Sequence, residues 1–490
     1  MPDELSRRSF LTLGGMALAP SGDEWIPLFD GRTLSGWKAN ENPTTWKVVD
    51  GCLMSAGPRS HLFYVGPVRG GDFRNFELEA EVMTRPGANS GIFFHTQYQG
   101  TGWLQKGFEV QIANTHSGEG GYREYKKTGS LYGVRNIYRP LVRDNEWFKL
   151  YVAVRANNVQ VRVNDVLTVD FIEPDPPVLA SGRGRFLDHG AFALQGHDAG
   201  STVLFRSLRV RPLPDHLPKQ PSPEVDGKYR QIIQLSAANV PVVDYHAHLK
   251  GGLTMDELLR RSRATGIFYG VAINCGKGFP VQDDASARRF LEENRRYPVF
   301  LAMQAEGREW VNMFSPQTVA MFDYVFTDSM TWTDDRGRRM RLWIKQEVGE
   351  ISDAQEFMET LVRRAVGIFE REPIDIYVNP TFLPEAIAQR YDELWTPARM
   401  QRIIEALKKN DIALEINDRY RLPSLAFLRL AKQAGLKFTM GTNNGGPNDL
   451  RRCDYGLEVA EALQLRWQDF FIPREPGEKP VLRRGLPSQA

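Results

Sequence analysis

Phe76-Glu77-Leu78-Glu79-Ala80-Glu81-Val82 alternates apolar and acidic residues without a break. Successive side chains of a strand point to opposite faces, so this stretch reads as a strand with one face in a core and the other in water. The same rhythm returns in Phe108-Glu109-Val110-Gln111-Ile112, in 148–154, in 159–163 and in 203–210. Gly, Asn, Asp or Pro bound each run, and Asn157-Asn158 between two of them is a tight-turn signal. Many short strands with no helical period predict an all-β sandwich or jelly roll over residues 23–213.

Five prolines fall in 211–227, where little hydrophobic pattern remains, so 214–235 reads as a linker. From about residue 236 the rhythm changes to strand, loop, helix. Apolar strand candidates lie at 241–245, 268–274, 298–304, 322–327, 374–378, 411–416 and 437–441. Helical segments at 254–263, 284–295, 353–371, 398–408 and 424–434 separate most of them. Thr254 and Glu257 form a capping-box signature, and Gly266 and Gly435 sit where helix C-caps belong. Repeated βα units predict an α/β barrel, distorted, seven-stranded and TIM-like, over 236–475, with a tail at 476–490.

A chain of 490 residues implies two or three domains. A net charge of +2 gives no electrostatic case for nucleic acid or an acidic membrane. Cys52, Cys275 and Cys453 are odd in number and far apart, which excludes a disulfide framework and a cysteine zinc site. Ser6-Arg7-Arg8-Ser9-Phe10-Leu11 and the weakly apolar run after it resemble a twin-arginine export signal over 1–22, implying a periplasmic or secreted protein. Nothing else approaches a membrane span of about 20 apolar residues. Ten tryptophans fit stacking on sugars and equally a sandwich core; Trp37, Trp46 and Trp147 are read as core.

The histidines divide the chain. None follows His248, and His246-Ala247-His248 closes a short apolar run. Two imidazoles on one face of a strand end can hold a metal, and any further ligands must then be carboxylates, amides or water. Other strand ends carry Asn274, Gln304, Glu306, Asp328, Asn379, Glu415, Asn417, Asn443 and Asn444. Val243-Asp244-Tyr245-His246-Ala247-His248, Leu414-Glu415-Ile416-Asn417 and the stretch 431–443 resemble the polymerase-and-histidinol-phosphatase type of metal-dependent phosphoesterase, and more distantly the amidohydrolases. That resemblance implies a distorted barrel holding two or three metals. The chain departs from it at Asn379-Pro380, where the family has His-Pro, and at Asn443-Asn444-Gly445, where it has an Asp and a His. Three readings stay open. One is a divalent metal on His246, His248 and Glu306, with Glu415 as a further ligand. The second is a metal-free site for a polar ligand, and the third is a barrel with a structural role only. Arg308, Arg419 and Arg421 follow strand ends and suit either an anionic group or structural ion pairs.

In the first half, Leu28-Phe29-Asp30-Gly31-Arg32-Thr33-Leu34-Ser35-Gly36-Trp37, Ala88-Asn89-Ser90-Gly91-Ile92-Phe93-Phe94-His95, Gly107-Phe108-Glu109-Val110-Gln111-Ile112, Thr128-Gly129-Ser130-Leu131-Tyr132 and Leu194-Gln195-Gly196-His197 follow in order. Together they resemble the 3-keto-disaccharide hydrolase domain, a concanavalin-like jelly roll, across 25–213. His95 stands where that family leads us to expect Arg. The resemblance implies cleavage of a C3-oxidised glycoside. A ketone at C3 acidifies the hydrogen on C2, so a base can remove it while the C1 group leaves, and water then adds. Such a site needs a base, a stabiliser of the enediolate and a proton donor. By side-chain type, Glu109 is a candidate base or metal ligand, and His95 or His197 a candidate for proton transfer. Gln111, Gln195, Asn89 and Tyr132 are candidates for binding substrate, and a divalent ion would stabilise the enediolate. Two alternatives remain: a glycan-binding jelly roll attached to a metal-dependent ester or amide hydrolase, and a non-enzymatic glycan-binding protein.

Overall fold

The alternation that opens the sequence argument is realised in the strand Phe76–Thr84. Phe76, Leu78, Ala80 and Val82 are buried in the core, while Glu79 and Glu81 pair on the other face with Arg209 and Arg206 of the neighbouring strand. A one-residue slip would exchange the two faces, so the burial pattern fixes the register. The computed structural model describes residues 24–116, 118, 122–179, 184–333 and 338–487; the twin-arginine stretch lies outside them.

Phe76–Thr84 lies inside an eight-stranded antiparallel sheet, between Phe148–Arg155 and Thr202–Pro212. A second sheet of five strands runs Trp37–Ala39, Ser60–Tyr64, Ala191–Gly196, Asn89–Thr96, Phe108–Ala113. The two sheets share one apolar core, which makes the sandwich. The tight turn falls one residue earlier than expected. Asn158 pairs with Arg155, so the loop is Ala156-Asn157, with Ala156 at φ 53°.

The second half closes into a parallel barrel of seven strands: Val243–Ala247, Phe268–Cys275, Phe300–Ala305, Tyr324–Thr327, Ile376–Tyr377, Ala413–Asn417 and Phe438–Gly441. Closure comes from Asp244 pairing with Met440. Each strand overlaps one of the seven apolar runs. Only half of the expected capping box forms. Thr254 accepts from the Glu257 backbone N–H, but the Glu257 carboxylate turns to Arg260 and Arg261. Gly266 ends that helix at φ 85°, as expected of its C-cap position.

The stretch read as a linker is in part a structural wedge. A helix, Gly227–Ala237, starts on an Asp226 N-cap and puts Tyr229 and Ile233 into the sandwich core and Ile232 into the barrel core. A sandwich loop reaches the other way. Ile137 and Tyr138 pack against Val243, Phe268, Phe300, Tyr324, Ile376 and Ala413, sealing the N-terminal end of the barrel. Among the described residues no helix is long and apolar enough to cross a membrane.

Candidate active site

On the five-stranded sheet, Glu109 pairs with Phe93 and Gln111 with Gly91. Period two puts all four on one face, together with Asn89. Gln195 joins them from the adjoining strand Ala191–Gly196. They line a cleft of about 180 Å³ with Trp103, Leu104, Glu124, Tyr132 and His197. Gly91 makes room for the carboxylate, since a Cβ there would lie 2.7 Å from Glu109 Oε1. Gln195 Nε2 donates to Glu109 Oε1 at 3.1 Å, and Gln111 Nε2 donates to Asn89 Oδ1 at 2.9 Å. The Oε1 atoms of Gln111 and Gln195 are buried without a protein donor, as acceptors kept for hydroxyl groups would be.

The opposite wall is a polar cluster that sequence patterning did not disclose. Glu124 accepts from Lys126 Nζ (3.1 Å), the Tyr122 hydroxyl (3.0 Å) and the Tyr132 hydroxyl (3.4 Å). Lys126 is buried, lies 4.1 Å from the Tyr132 ring centre, and donates to Asn239 Oδ1 of the following domain at 2.6 Å. Burial lowers the Lys126 pKa against the opposing pull of Glu124. Burial first, then Glu124, hold the Tyr132 phenol well above its ordinary pKa, so it stays protonated at neutral pH.

His197 stacks obliquely on Trp103, with ring centres 4.9 Å apart. Its Nδ1 meets Asp198 Oδ2 at 2.6 Å, leaving Nε2 as the other hydrogen-bonding position. His116 approaches the same oxygen at 3.5 Å. His95, expected to serve proton transfer, is instead structural. A bulge shifts the pairing beside it, and His95 takes φ 53°. Bulged strands lose their facing parity at the extra residue, so the ring turns from the cleft into the core against Phe76 and Phe94. Its Nε2 lies 2.9 Å from Arg74 O and its Nδ1 accepts from Asp188 N–H. Burial pushes its pKa down to about 4. The other expected cleft residues, Glu109, His197, Gln111, Gln195, Asn89 and Tyr132, are brought together. Trp103, Glu124, Lys126 and Asp198 were missed because they sit in aperiodic loops or beside a strand end; only the His197-Asp198 pairing carried a local signal.

At the barrel mouth His246 and His248 face each other, with ring centres 5.2 Å apart and both Nε2 atoms buried without partners. That pair fits a metal, but the expected four-residue ligand set does not converge. Among the described residues no three donor atoms of His246, His248, Glu306 and Glu415 lie within 4.8 Å of one another. Glu415 instead backs His246 from behind, with Oε1 2.6 Å from Nδ1, while its Oε2 accepts from Asn379 N–H and Asn417 Nδ2. Glu306 Oε1 accepts from Asn274 at 2.6 Å and Gln304 at 3.0 Å. Burial, then the Asp328 charge, push Glu306 up to about 7. Asn417 Nδ2 and Asn443 Nδ2 both donate to Asn379 Oδ1, so these three amides form one network beside Glu415. Arg308 and Arg421 are engaged by Glu372 and Glu458, and Arg419 by Asn443 O and Asp449, which is the structural ion-pair reading.

The sandwich thus carries a cleft lined by amides, carboxylates and the aromatic rings of Phe93, Trp103 and Tyr132. Residues 24–211 match the family model of the 3-keto-alpha-glucoside-1,2-lyase-like domain. A 3-keto-disaccharide hydrolase of Bacteroides thetaiotaomicron is 35% identical over 94 residues, covering 17% of this chain and 32% of that protein. The chain therefore spans about a third of the length of that relative. Two solved structures from Parabacteroides distasonis, provisionally assigned as glycosyl hydrolases, are 20% and 24% identical. Each aligns with 39% of this chain, covering 94% and 100% of its own, at TM-scores of 0.34 and 0.32. The carbohydrate-binding module CBM66 of Bacillus subtilis is 12% identical over 36% of this chain and 95% of its own, with a TM-score of 0.25. At TM-scores this low the likeness carries no weight, and the sandwich is read from its own sheets. The similarity to that domain is confined to residues 24–211 and ends before the barrel.

Proposed function

We propose that the sandwich cleft cleaves C3-oxidised glycosides by elimination. The observation that carries this reading is that Glu109 and Tyr132 line one cleft with three amides and His197. Glu109 takes the proton from C2 of the keto sugar, as a carboxylate can when a ketone acidifies the neighbouring C–H. The electron pair forms the C1=C2 bond, the C1–oxygen bond breaks, and the leaving oxygen takes the Tyr132 hydroxyl proton. Lys126 beside the ring favours the phenolate left behind, and the proton held by Glu109, relayed through water, restores the Tyr132 hydroxyl and the Glu109 carboxylate. Charge building on the C3 oxygen falls at the His197 end of the cleft. Water adding to the product in a second step completes net hydrolysis. The twin-arginine stretch supports export of the enzyme.

The test is release of aglycone from a 3-keto glycoside by the purified full chain. Glu109→Gln and Tyr132→Phe should each lower kcat/KM by at least about 100-fold with unchanged circular dichroism. Full activity in Glu109→Gln, or an inert wild-type protein, would reject the proposal. A second reading concerns the barrel, where the two unpartnered imidazole nitrogens support a divalent ion held by His246 and His248 with Glu306 nearby. Loss of bound metal in His246→Ala would favour it, and unchanged metal content would remove it.

A further inference from the structure

We infer that His116, His197 and Asp198 form a divalent transition-metal site at the edge of the sandwich cleft. The inference rests on the reading of that cleft as a keto-sugar site, and it names the group that takes the charge on the C3 oxygen. One donor atom from each of the three residues lies within 4.8 Å of the others, the only such group among the described residues. They come from separate parts of the chain. His116 follows the strand Phe108–Ala113, while His197 and Asp198 leave the strand Ala191–Gly196. The fold brings these two ends together beside Trp103.

His116 is the decisive residue. It is 4% exposed, and among the described residues its Nδ1 has no hydrogen-bond partner and its Nε2 lies 3.5 Å from Asp198 Oδ2. Buried His61 also has both nitrogens unpartnered, so what sets His116 apart is the company of a second imidazole and a carboxylate within reach. A buried imidazole with an unsatisfied nitrogen costs stability unless a ligand completes it. Asp198 is fixed from behind, with Oδ1 accepting from Gly200 N–H at 2.8 Å and Oδ2 from Ser201 Oγ at 3.1 Å. Such outer contacts orient a carboxylate ligand before the ion arrives. Two imidazoles and one carboxylate select Zn²⁺, Mn²⁺, Fe²⁺ or Co²⁺ over Mg²⁺ and Ca²⁺, which prefer all-oxygen shells. Three protein ligands leave positions open for two substrate oxygens, such as a ketone and its neighbouring hydroxyl.

The test uses the full chain, dialysed against chelator and titrated with Co²⁺, followed by visible absorption and elemental analysis. One equivalent should bind. His116→Ala and Asp198→Asn should each weaken it at least about tenfold, and His116→Gln should do the same with the fold kept. No saturable binding by the wild type, or binding unaffected by both His116→Gln and Asp198→Asn, would overturn the inference. The cleft reading is separable from it. Bound Co²⁺ without turnover of a 3-keto glycoside would leave the site standing and the activity refuted. Full turnover in the metal-free chain would do the reverse.

Discussion

Arg135 joins the two domains, and its removal should be costly. Its guanidinium is 4% exposed and donates to Arg263 O at 2.7 Å, Ala264 O at 2.8 Å, Val134 O at 2.9 Å and the Tyr229 hydroxyl at 3.3 Å. Arg263 and Ala264 belong to the last turn of the helix Met255–Thr265, whose carbonyls carry the negative end of its dipole. Among the described residues no carboxylate is its partner; these oxygens and the Phe171 and Tyr229 rings, 5.0 and 5.5 Å from the guanidinium carbon, offset the burial of the charge. Burial lowers its pKa, but an arginine remains ionised at any working pH. In Arg135→Ala the charge is gone, but two helix-end carbonyls lose charge-assisted donors of about 1.5–3 kcal/mol each, partly recovered as the desolvation of the guanidinium disappears. The net loss should be about 3 kcal/mol. Arg135→Lys, which can reach one carbonyl at a time, should lose about half as much. Urea titration followed by tryptophan fluorescence and by far-UV circular dichroism would measure it. A loss below about 1 kcal/mol for the alanine variant would refute the idea that this contact holds the helix end and the sandwich together.

Gly91→Ala should lower kcat/KM on a 3-keto glycoside by about tenfold or more, with little change in melting temperature. The new Cβ would lie 2.7 Å from Glu109 Oε1 and displace only that side chain. Glu173 has its pKa raised by burial to about 7 from 4.5, so its contribution to stability is complete below about pH 4.5 and is lost as pH rises through 7. Glu173→Gln should therefore gain up to about 3 kcal/mol at pH 8 and less than about 1 kcal/mol at pH 5, as urea titrations at both values would reveal; an equal effect at both would contradict the assignment. Tyr138→Ala should cost about 3 kcal/mol by opening a cavity under the barrel, visible as a lower urea midpoint. Asn239→Gly, which suits the φ of 64° at this position, should leave stability nearly unchanged while lowering kcat, because it removes the cross-domain partner of Lys126 at the cleft wall; unchanged kcat would show that Glu124 and Tyr132 hold Lys126 unaided.

Much of this molecule is written locally. The period-two runs give the sandwich strands, seven apolar runs give the barrel strands, and the i, i+2 spacing puts Glu109 and Gln111 on one face and brings His246 and His248 together. These follow from the sequence because side-chain direction in a strand repeats every two residues, whatever lies elsewhere in the chain. The remainder needed the tertiary structure. The same spacing would put His95 beside Phe93 in the cleft, but a bulge removed it. His116 meets Asp198 across 82 positions, and Lys126 meets Asn239 across 113. Glu415 was legible as a carboxylate at a strand end, yet only the closed barrel decides that it backs His246 Nδ1. Contacts of that kind depend on where two loops or two barrel strands end in space, and periodicity carries no information about that.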